Sequence, residues 1–177
     1  MNKKYDIIYM DPPWRYGSRL QTGSGRQKDL SEEYPTMSDD ELKALDIKNI
    51  TNKDSLIYMW VTNPFIAVAI DIANHWGFKY RSVAFIWDKQ RVTPGSYTMS
   101  QAEVCLVFKK RGGNIPKPRG SRNERQFLSQ IRREHSRKPD EIRETIERMH
   151  PTQSKLEMFA RTTKQGWDVF GNETDKF

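Results

Sequence analysis

At 177 residues, with 36% hydrophobic and 30% charged side chains, the chain has the length of one domain and enough apolar mass to bury a core. Its 30 Lys and Arg against 23 Asp and Glu leave a net charge of +7 and a pI near 9.5, which favours an anionic partner such as nucleic acid. No apolar run has the length of a membrane span and the first residues lack a signal-peptide pattern, so a cytoplasmic protein is expected. The single Cys105 excludes an internal disulfide, and three scattered histidines give no metal-ligand spacing, so no metal is expected.

The first apolar run, Tyr5-Asp6-Ile7-Ile8-Tyr9-Met10, predicts a strand that ends on Asp11-Pro12-Pro13-Trp14. The prolines fix φ and remove two backbone donors, which leaves the Pro12 carbonyl held outward. Trp14 then offers a flat apolar face beside two fixed acceptors. An exocyclic amine on a planar base fits this set: Asp11 and the Pro12 carbonyl accept its two N–H bonds, and Trp14 stacks on the ring. An amine held this way has its lone pair aimed at an electrophile, which is catalysis by positioning and electrostatics. Taken alone, the four residues are equally compatible with a proline turn over a core tryptophan.

Residues 15–34 form a polar, glycine-bearing loop, long for a compact domain, for which a gating role and a plain connector are both open. Ser38-Asp39-Asp40-Glu41 reads as a capping box that starts a short helix through Leu45. Leu56-Ile57-Tyr58-Met59-Trp60-Val61 is a near-continuous apolar strand of the buried, parallel kind. Asn63 is expected to cap the next helix, with Pro64 in its first turn, Gly77 at its end and a core stripe of Phe65, Val68, Ala69, Ile72 and Trp76. Further strands are predicted over 82–87 and 102–108, the second holding Cys105 as a buried structural thiol. Residues 109–125 are irregular and basic, and a solvated loop and a phosphate- or subunit-contacting role are both open for them. A short strand over 127–131 precedes a helix opened by Pro139, with Ile142, Ile146 and Met149 on one face. Arg143–Glu147 and Glu144–Arg148 stand at i,i+4 on its expected exposed sides, and strands over 155–159 and 167–170 close the chain. Alternating strands and helices without a repeat predict one α/β domain over 1–177: a single open, mostly parallel sheet with flanking helices and an antiparallel pair at its C-terminal edge. Ligands of such sheets bind beyond the carboxyl ends of the strands, where Asp11 would lie.

Beyond Asp11-Pro12-Pro13-Trp14, the chain carries Tyr34-Pro35-Thr36-Met37-Ser38-Asp39-Asp40-Glu41, Trp60-Val61-Thr62 and Glu103-Val104-Cys105-Leu106-Val107. His135-Ser136-Arg137-Lys138-Pro139-Asp140-Glu141-Ile142, Lys155-Leu156-Glu157-Met158-Phe159-Ala160-Arg161 and Gly166-Trp167-Asp168-Val169-Phe170-Gly171-Asn172-Glu173 follow. In this order, over nearly the whole chain, these blocks resemble the S-adenosylmethionine-dependent adenine-N6 methyltransferases of the DPPW type, which include the messenger-RNA adenosine methyltransferase, in their compact bacterial or phage form. The resemblance implies a Rossmann-like methyltransferase fold in which the catalytic motif precedes the main cofactor motif, with S-adenosylmethionine as methyl donor. It implies that Asp11 and the Pro12 carbonyl hold the target amine, while Pro13 and Trp14 shape the base pocket. Lys138 takes the position that pairs with the cofactor's methionine carboxylate, Arg161 one that bonds the nucleoside part, and Asn172 and Glu173 a terminal pair beside it, with Phe159 on the same wall. Tyr34, Trp87 and Lys89 match active-site loop positions on the substrate side. The chain lacks a G-x-G fingerprint, as this family does, and Asp11 stands ten residues from the first residue, so the wall that longer relatives build upstream is expected to be thinner or supplied elsewhere.

The expected reaction is methyl transfer to the 6-amino group of adenine in nucleic acid, the target base being extruded if it lies in a duplex. No helix is placed to dock in a major groove, so recognition of one to a few bases is expected, with Arg119 and Arg122 on the backbone and affinity falling steeply with salt. DNA stands ahead of RNA because compact members resemble bacterial and phage DNA modifiers. An RNA methyltransferase, a non-catalytic nucleic-acid-binding subunit and a small-molecule amine methyltransferase are the alternatives. The position of 109–125, after the family's subunit interface, predicts a homodimer.

Overall fold

Side-chain alternation along the first strand sets the two sides of the molecule. In β1 (Tyr5–Met10), Ile7 and Tyr9 point to one face of the sheet and Ile8 and Met10 to the other, and all four are buried. A strand buried on both faces needs a cover on each. The computed structural model, which describes residues 3–15, 35–95, 97–132 and 137–171, supplies one from α1 (Asp39–Lys43) and α2 (Ile66–His75), and the other from α3 (Asp140–Met149).

The remaining strands are β2 (Thr51–Val61), β3 (Phe78–Thr93), β4 (Ser100–Lys110), β5 (Phe127–Ser129), β6 (Lys155–Met158) and β7 (Asp168–Phe170). They form one sheet in the order β5-β3-β4-β2-β1-β6-β7. The pairs β1–β2, β1–β6, β6–β7 and β3–β5 are parallel, and only β4 runs against its neighbours. The expected antiparallel pair at the C-terminal edge is therefore corrected: β6 and β7 are parallel, and the reversed strand is internal, returned by the β3–β4 hairpin. From β1 the chain goes first to β2 on one side and later to β6 on the other, so the sheet's switch point lies directly beyond Met10.

Local signals account for most boundaries. Ser38 accepts from the Glu41 backbone while the Glu41 carboxylate accepts from the Ser38 N–H at 2.7 Å, completing the capping box. Phe65, Ala69, Ile72 and Trp76 are buried as the stripe predicts, and Gly77 leaves the helix with φ 85°. Asn63 does not cap α2: Thr62 precedes a 3-10 turn over Asn63–Phe65, and α2 starts at Ile66. Arg143 is not an exposed helix residue paired to Glu147; it is buried and bonds Glu157 at 2.7 Å, while Arg148 reaches Glu124 at 2.8 Å. Cys105 is fully buried, as a structural thiol is.

Candidate active site

The alternation that buries Tyr9 carries Asp11 out on the same face, under the start of α3. Trp60, Trp87, Cys105 and Tyr9 share that face, and two residues before Cys105 stands Glu103. Lys138, just ahead of α3, closes the arrangement: its Nζ lies 2.7 Å from Asp11 Oδ2 and 3.3 Å from Glu103 Oε2, with the Trp60 ring centroid at 5.8 Å. Glu103 in turn accepts from Lys89 Nζ at 3.2 Å. Four charges from four segments thus alternate in sign in a row beyond the sheet.

Burial pushes the Asp11 carboxyl up from its usual range, with Lys138 pulling it back down. For Lys138 burial works the other way, but Asp11 and Glu103 outweigh it and hold the ammonium firmly protonated. Burial would raise Glu103 too, yet Lys138 and Lys89 together hold it below the ordinary carboxylate range. A central cation locked between two carboxylates is a fixed charge rather than a solvated one, and removing it would leave two carboxylates facing each other in a poorly hydrated place.

The turn after Asp11 is fixed by three bonds. The Pro12 carbonyl accepts from the Trp14 N–H at 2.9 Å, the Pro13 carbonyl accepts from Met37 at 2.8 Å, and Trp14 Nε1 donates to the Trp60 carbonyl at 3.3 Å. Trp14 is 5% exposed and stacks on Phe65 with centroids 5.4 Å apart. Here the expectation of an open aromatic face is corrected. Trp14 anchors the proline turn from below, on the α1–α2 side of the sheet, and does not present its ring to a base. Pro12 keeps one carbonyl lone pair beyond the one given to Trp14.

A pocket opens beside Asp11, between the start of α3 and the end of β6. Asp11, Tyr9 and Lys138 form one end; Asp140 and Arg143 of α3 form a side; Phe159 and Arg161 form the other. Phe159 holds φ 59°, a left-handed backbone that costs of order 1–3 kcal/mol in a non-glycine residue and turns the chain out of β6 toward this pocket. Buried Arg143 holds Glu157 at 2.7 Å, and its Nε has no hydrogen-bond partner among the described residues.

The sequence-predicted residues divide sharply. Asp11, Pro12, Pro13, Lys138, Phe159 and Arg161 come together. Lys89 joins them through Glu103. Trp87 is 3% exposed, meets Trp60 edge-on and donates to the Gln130 carbonyl at 2.8 Å, so it supports the floor and does not line the pocket. Arg119 and Arg122 are corrected outright: Gly120 and Ser121 between them bond the last carbonyls of α3, at the end of the sheet opposite Asp11. Ten helical residues, about 15 Å of rise, separate them from the pocket. Tyr34, Asn172 and Glu173 lie outside the described residues. Glu103, Tyr9, Asp140, Arg143 and Glu157 had not been assigned site roles from sequence. A signal for two of them was present: Glu103 and Glu157 are the single acids of their strands, on the parity that faces α3.

Comparison with known proteins fits this geometry. The MT-A70 family profile matches residues 5–173. The Type II methyltransferase M.MunI of Mycoplasma sp is 45% identical over 184 residues, covering 97% of this chain and 78% of that protein. The Arabidopsis thaliana N(6)-adenosine-methyltransferase MT-A70-like protein is 33% identical over 96% of this chain, and the human N(6)-adenosine-methyltransferase catalytic subunit METTL3 is 30% identical over 97%. The chain spans only about a quarter of those last two, 24% and 28% of their lengths. Fold and comparisons together define a Rossmann-like methyltransferase, with its Asp-Pro-Pro-Trp turn at the switch point of an α/β sheet. The chain belongs to the MT-A70 family.

Proposed function

We propose that this methyltransferase transfers a methyl group from S-adenosylmethionine to the 6-amino group of adenine in DNA. The observation that carries the reading is Asp11 at the switch point, held against Lys138 at 2.7 Å on the rim of a pocket lined by both charged and apolar groups. The donor set fits the cofactor. Two of the three Lys138 N–H groups face Asp11 and Glu103, which leaves one for a carboxylate. Arg161 suits hydroxyls or ring acceptors, Phe159 and Met158 offer apolar wall, and the unpartnered Arg143 Nε is a buried donor in the same lining.

When bound, S-adenosylmethionine supplies an electrophilic methyl group on a sulfonium centre. The chain's own part is positional. Asp11 accepts one N–H of the adenine amine and the free lone pair of the Pro12 carbonyl accepts the other, which turns the nitrogen lone pair away from both. Burial raises the Asp11 carboxyl, and Lys138 beside it pulls back toward the ionised form that accepts hydrogen bonds. The Trp14 anchor and the proline pair hold the turn without rearrangement.

DNA is favoured over RNA by the likeness to the M.MunI methyltransferase, greater and covering more of the relative than the likeness to the adenosine methyltransferases. Transfer of labelled methyl groups to matched DNA and RNA oligonucleotides, single- and double-stranded, followed by nucleoside analysis, tests it. N6-methyladenine formed in DNA is the expected product. Product found only in RNA, or methylation at another atom, overturns the reading.

A further inference from the structure

We propose that the β3–β4 hairpin is the element that opens a DNA duplex, its tip filling the space left when the target adenine turns out toward Asp11. The proposal rests on the reading of the site as acting on adenine in DNA. It starts from where the two strands stop. Trp87 pairs with Glu103 at the level of the site, yet both strands continue to the Thr93–Ser100 pair. Ser100 therefore stands about 10 Å beyond Glu103 at ordinary strand rise, and the turn reaches further. A two-stranded ribbon of this kind fits a major groove, so the lack of a groove-docking helix among the described residues does not leave them without an entering element.

The ribbon is fixed at its root. Asp88 accepts from the Gln90 N–H at 2.9 Å, from Gln101 Nε2 at 2.7 Å and from Ser129 Oγ at 2.8 Å, tying both hairpin strands to β5. Gln90, at φ 52° within the register shift after Asp88, bends the ribbon at that point. The tip is tight as well: a side chain at Gly95 would run into the Thr98 carbonyl.

Near its tip the ribbon carries exposed apolar side chains. Tyr97 is 100% exposed, with Met99 and Val92 beside it at 58% and 52%. Between Asp88 and Glu103 the chain has no acidic residue, and with Lys89 paired to Glu103 the exposed cation on the stem is Arg91, which suits a phosphate-lined partner. An aromatic tip on a cationic stem, standing over a site that needs an extruded base, has the chemistry of a wedge between base pairs.

The test compares single-turnover methylation by wild type, Tyr97→Ala and Tyr97→Phe on three substrates. These are a duplex, the same duplex with an abasic site opposite the target, and the single strand. A 2-aminopurine target in the duplex reports extrusion by its fluorescence. Tyr97→Ala is expected to slow duplex methylation about 30-fold and to lose the fluorescence rise. It should leave the single strand and the abasic duplex within about 3-fold of wild type, the spread of a non-contact effect, and Tyr97→Phe should restore the duplex rate. Equal losses on all three substrates, or no loss on any, would overturn the hairpin assignment while leaving the active-site reading intact. So would a Tyr97→Ala protein that light scattering shows to have gone from dimer to monomer, since the tip would then be a contact between copies. A wild-type protein that methylates no adenine in any of the three overturns the site reading, and this inference with it.

Discussion

At the carboxyl end of the sheet Lys138 is held by two side-chain carboxylates, Asp11 and Glu103, and lines a pocket. At the amino end Lys110 also makes three close contacts, but they are the carbonyls of Lys48 and Thr51 at 2.9 Å and Thr51 Oγ1 at 2.8 Å. Lys109 likewise donates to the Gly113 carbonyl, and Arg111 to Asn74 at 2.8 Å. Both ends are basic. At the amino end the cations bond backbone, hydroxyl and amide oxygens of chain ends and loops, Lys110 with three of them; at the carboxyl end acids from the end of β1 and from β4 fix a cation on the lining of a pocket. Net charge, which first suggested a polyanionic partner, does not distinguish the two. The identity of each cation's acceptors does.

The largest break in that comparison comes from Asp11→Ala. Methyl transfer should fall about 1000-fold, because the amine loses its charged acceptor. The thermal midpoint should move little, because Lys138 keeps Glu103 as a partner and the buried carboxyl that burial disfavours is gone. Retained activity would remove the catalytic assignment. Lys138→Ala differs in kind. It leaves Asp11 without its ion-pair partner and Glu103 with Lys89 alone, so stability should drop by about 3 kcal/mol, the cost of breaking a buried ion pair. Calorimetry with S-adenosylhomocysteine should show affinity about 100-fold lower for Lys138→Ala and about 10-fold lower for Arg161→Ala, the sizes of a charged and a single directed contact. Unchanged affinity in both would mean the pocket has been misplaced.

The amino end offers a pH experiment of its own. His150 is 3% exposed, with Nε2 2.9 Å from the Tyr58 hydroxyl. Burial pushes its imidazole down to about 4, with Lys155 and Arg119 adding repulsion and Asp6 opposing weakly. The unfolded chain takes up this proton near pH 6.5 and the folded chain does not until about pH 4. The contribution is thus complete above pH 6.5 and lost as pH falls toward 4, by about 3 kcal/mol in all. Urea midpoints for wild type and His150→Gln across that window should converge as the pH drops. Parallel curves would show that the histidine is not the titrating group.

How far the chain could be read in advance follows from which interactions are local. The capping box at Ser38, the apolar stripe of α2 and the buried run of β2 are encoded by neighbours in sequence, and they stand where the spacing put them. The site residues within the quoted motifs, Asp11, Lys138 and Arg161, were legible as blocks. Their mutual geometry was not, since Lys138 meets Asp11 across 127 residues. The misses are matters of register and topology. Trp14 and Trp87 carry aromatic rings suited equally to a ligand or a core, and only the packing of Phe65 and Trp60 against them decides. The polar outer halves of β3 and β4 are held by backbone pairing that no hydrophobic period announces, so the predicted strands stop at 87 and begin again only at 102. Arg119 and Arg122 belong to an irregular segment whose position is set by the far end of α3.

The smallest expected effect is also the sharpest separator of the two ends. Arg119 and Arg122 are exposed at the amino end, and Arg91 is exposed on the hairpin at the carboxyl end. If charge alone governed nucleic-acid binding, removing any of them would lower affinity and its salt dependence alike. Position predicts otherwise. The double change Arg119→Ala/Arg122→Ala should leave kcat/KM within about 2-fold and the slope of log Kd against log salt unchanged, because neither residue reaches a strand held at Asp11. Arg91→Ala should weaken binding and reduce the magnitude of that slope by about one, the signature of a single lost phosphate contact. Light scattering on the double variant adds an independent reading. Should the protein be a homodimer built on 109–125, this variant would dissociate with methylation per subunit preserved. A reduced slope in the double variant, with Arg91→Ala silent, would move the nucleic acid to the amino end and invert the assignment of the two surfaces.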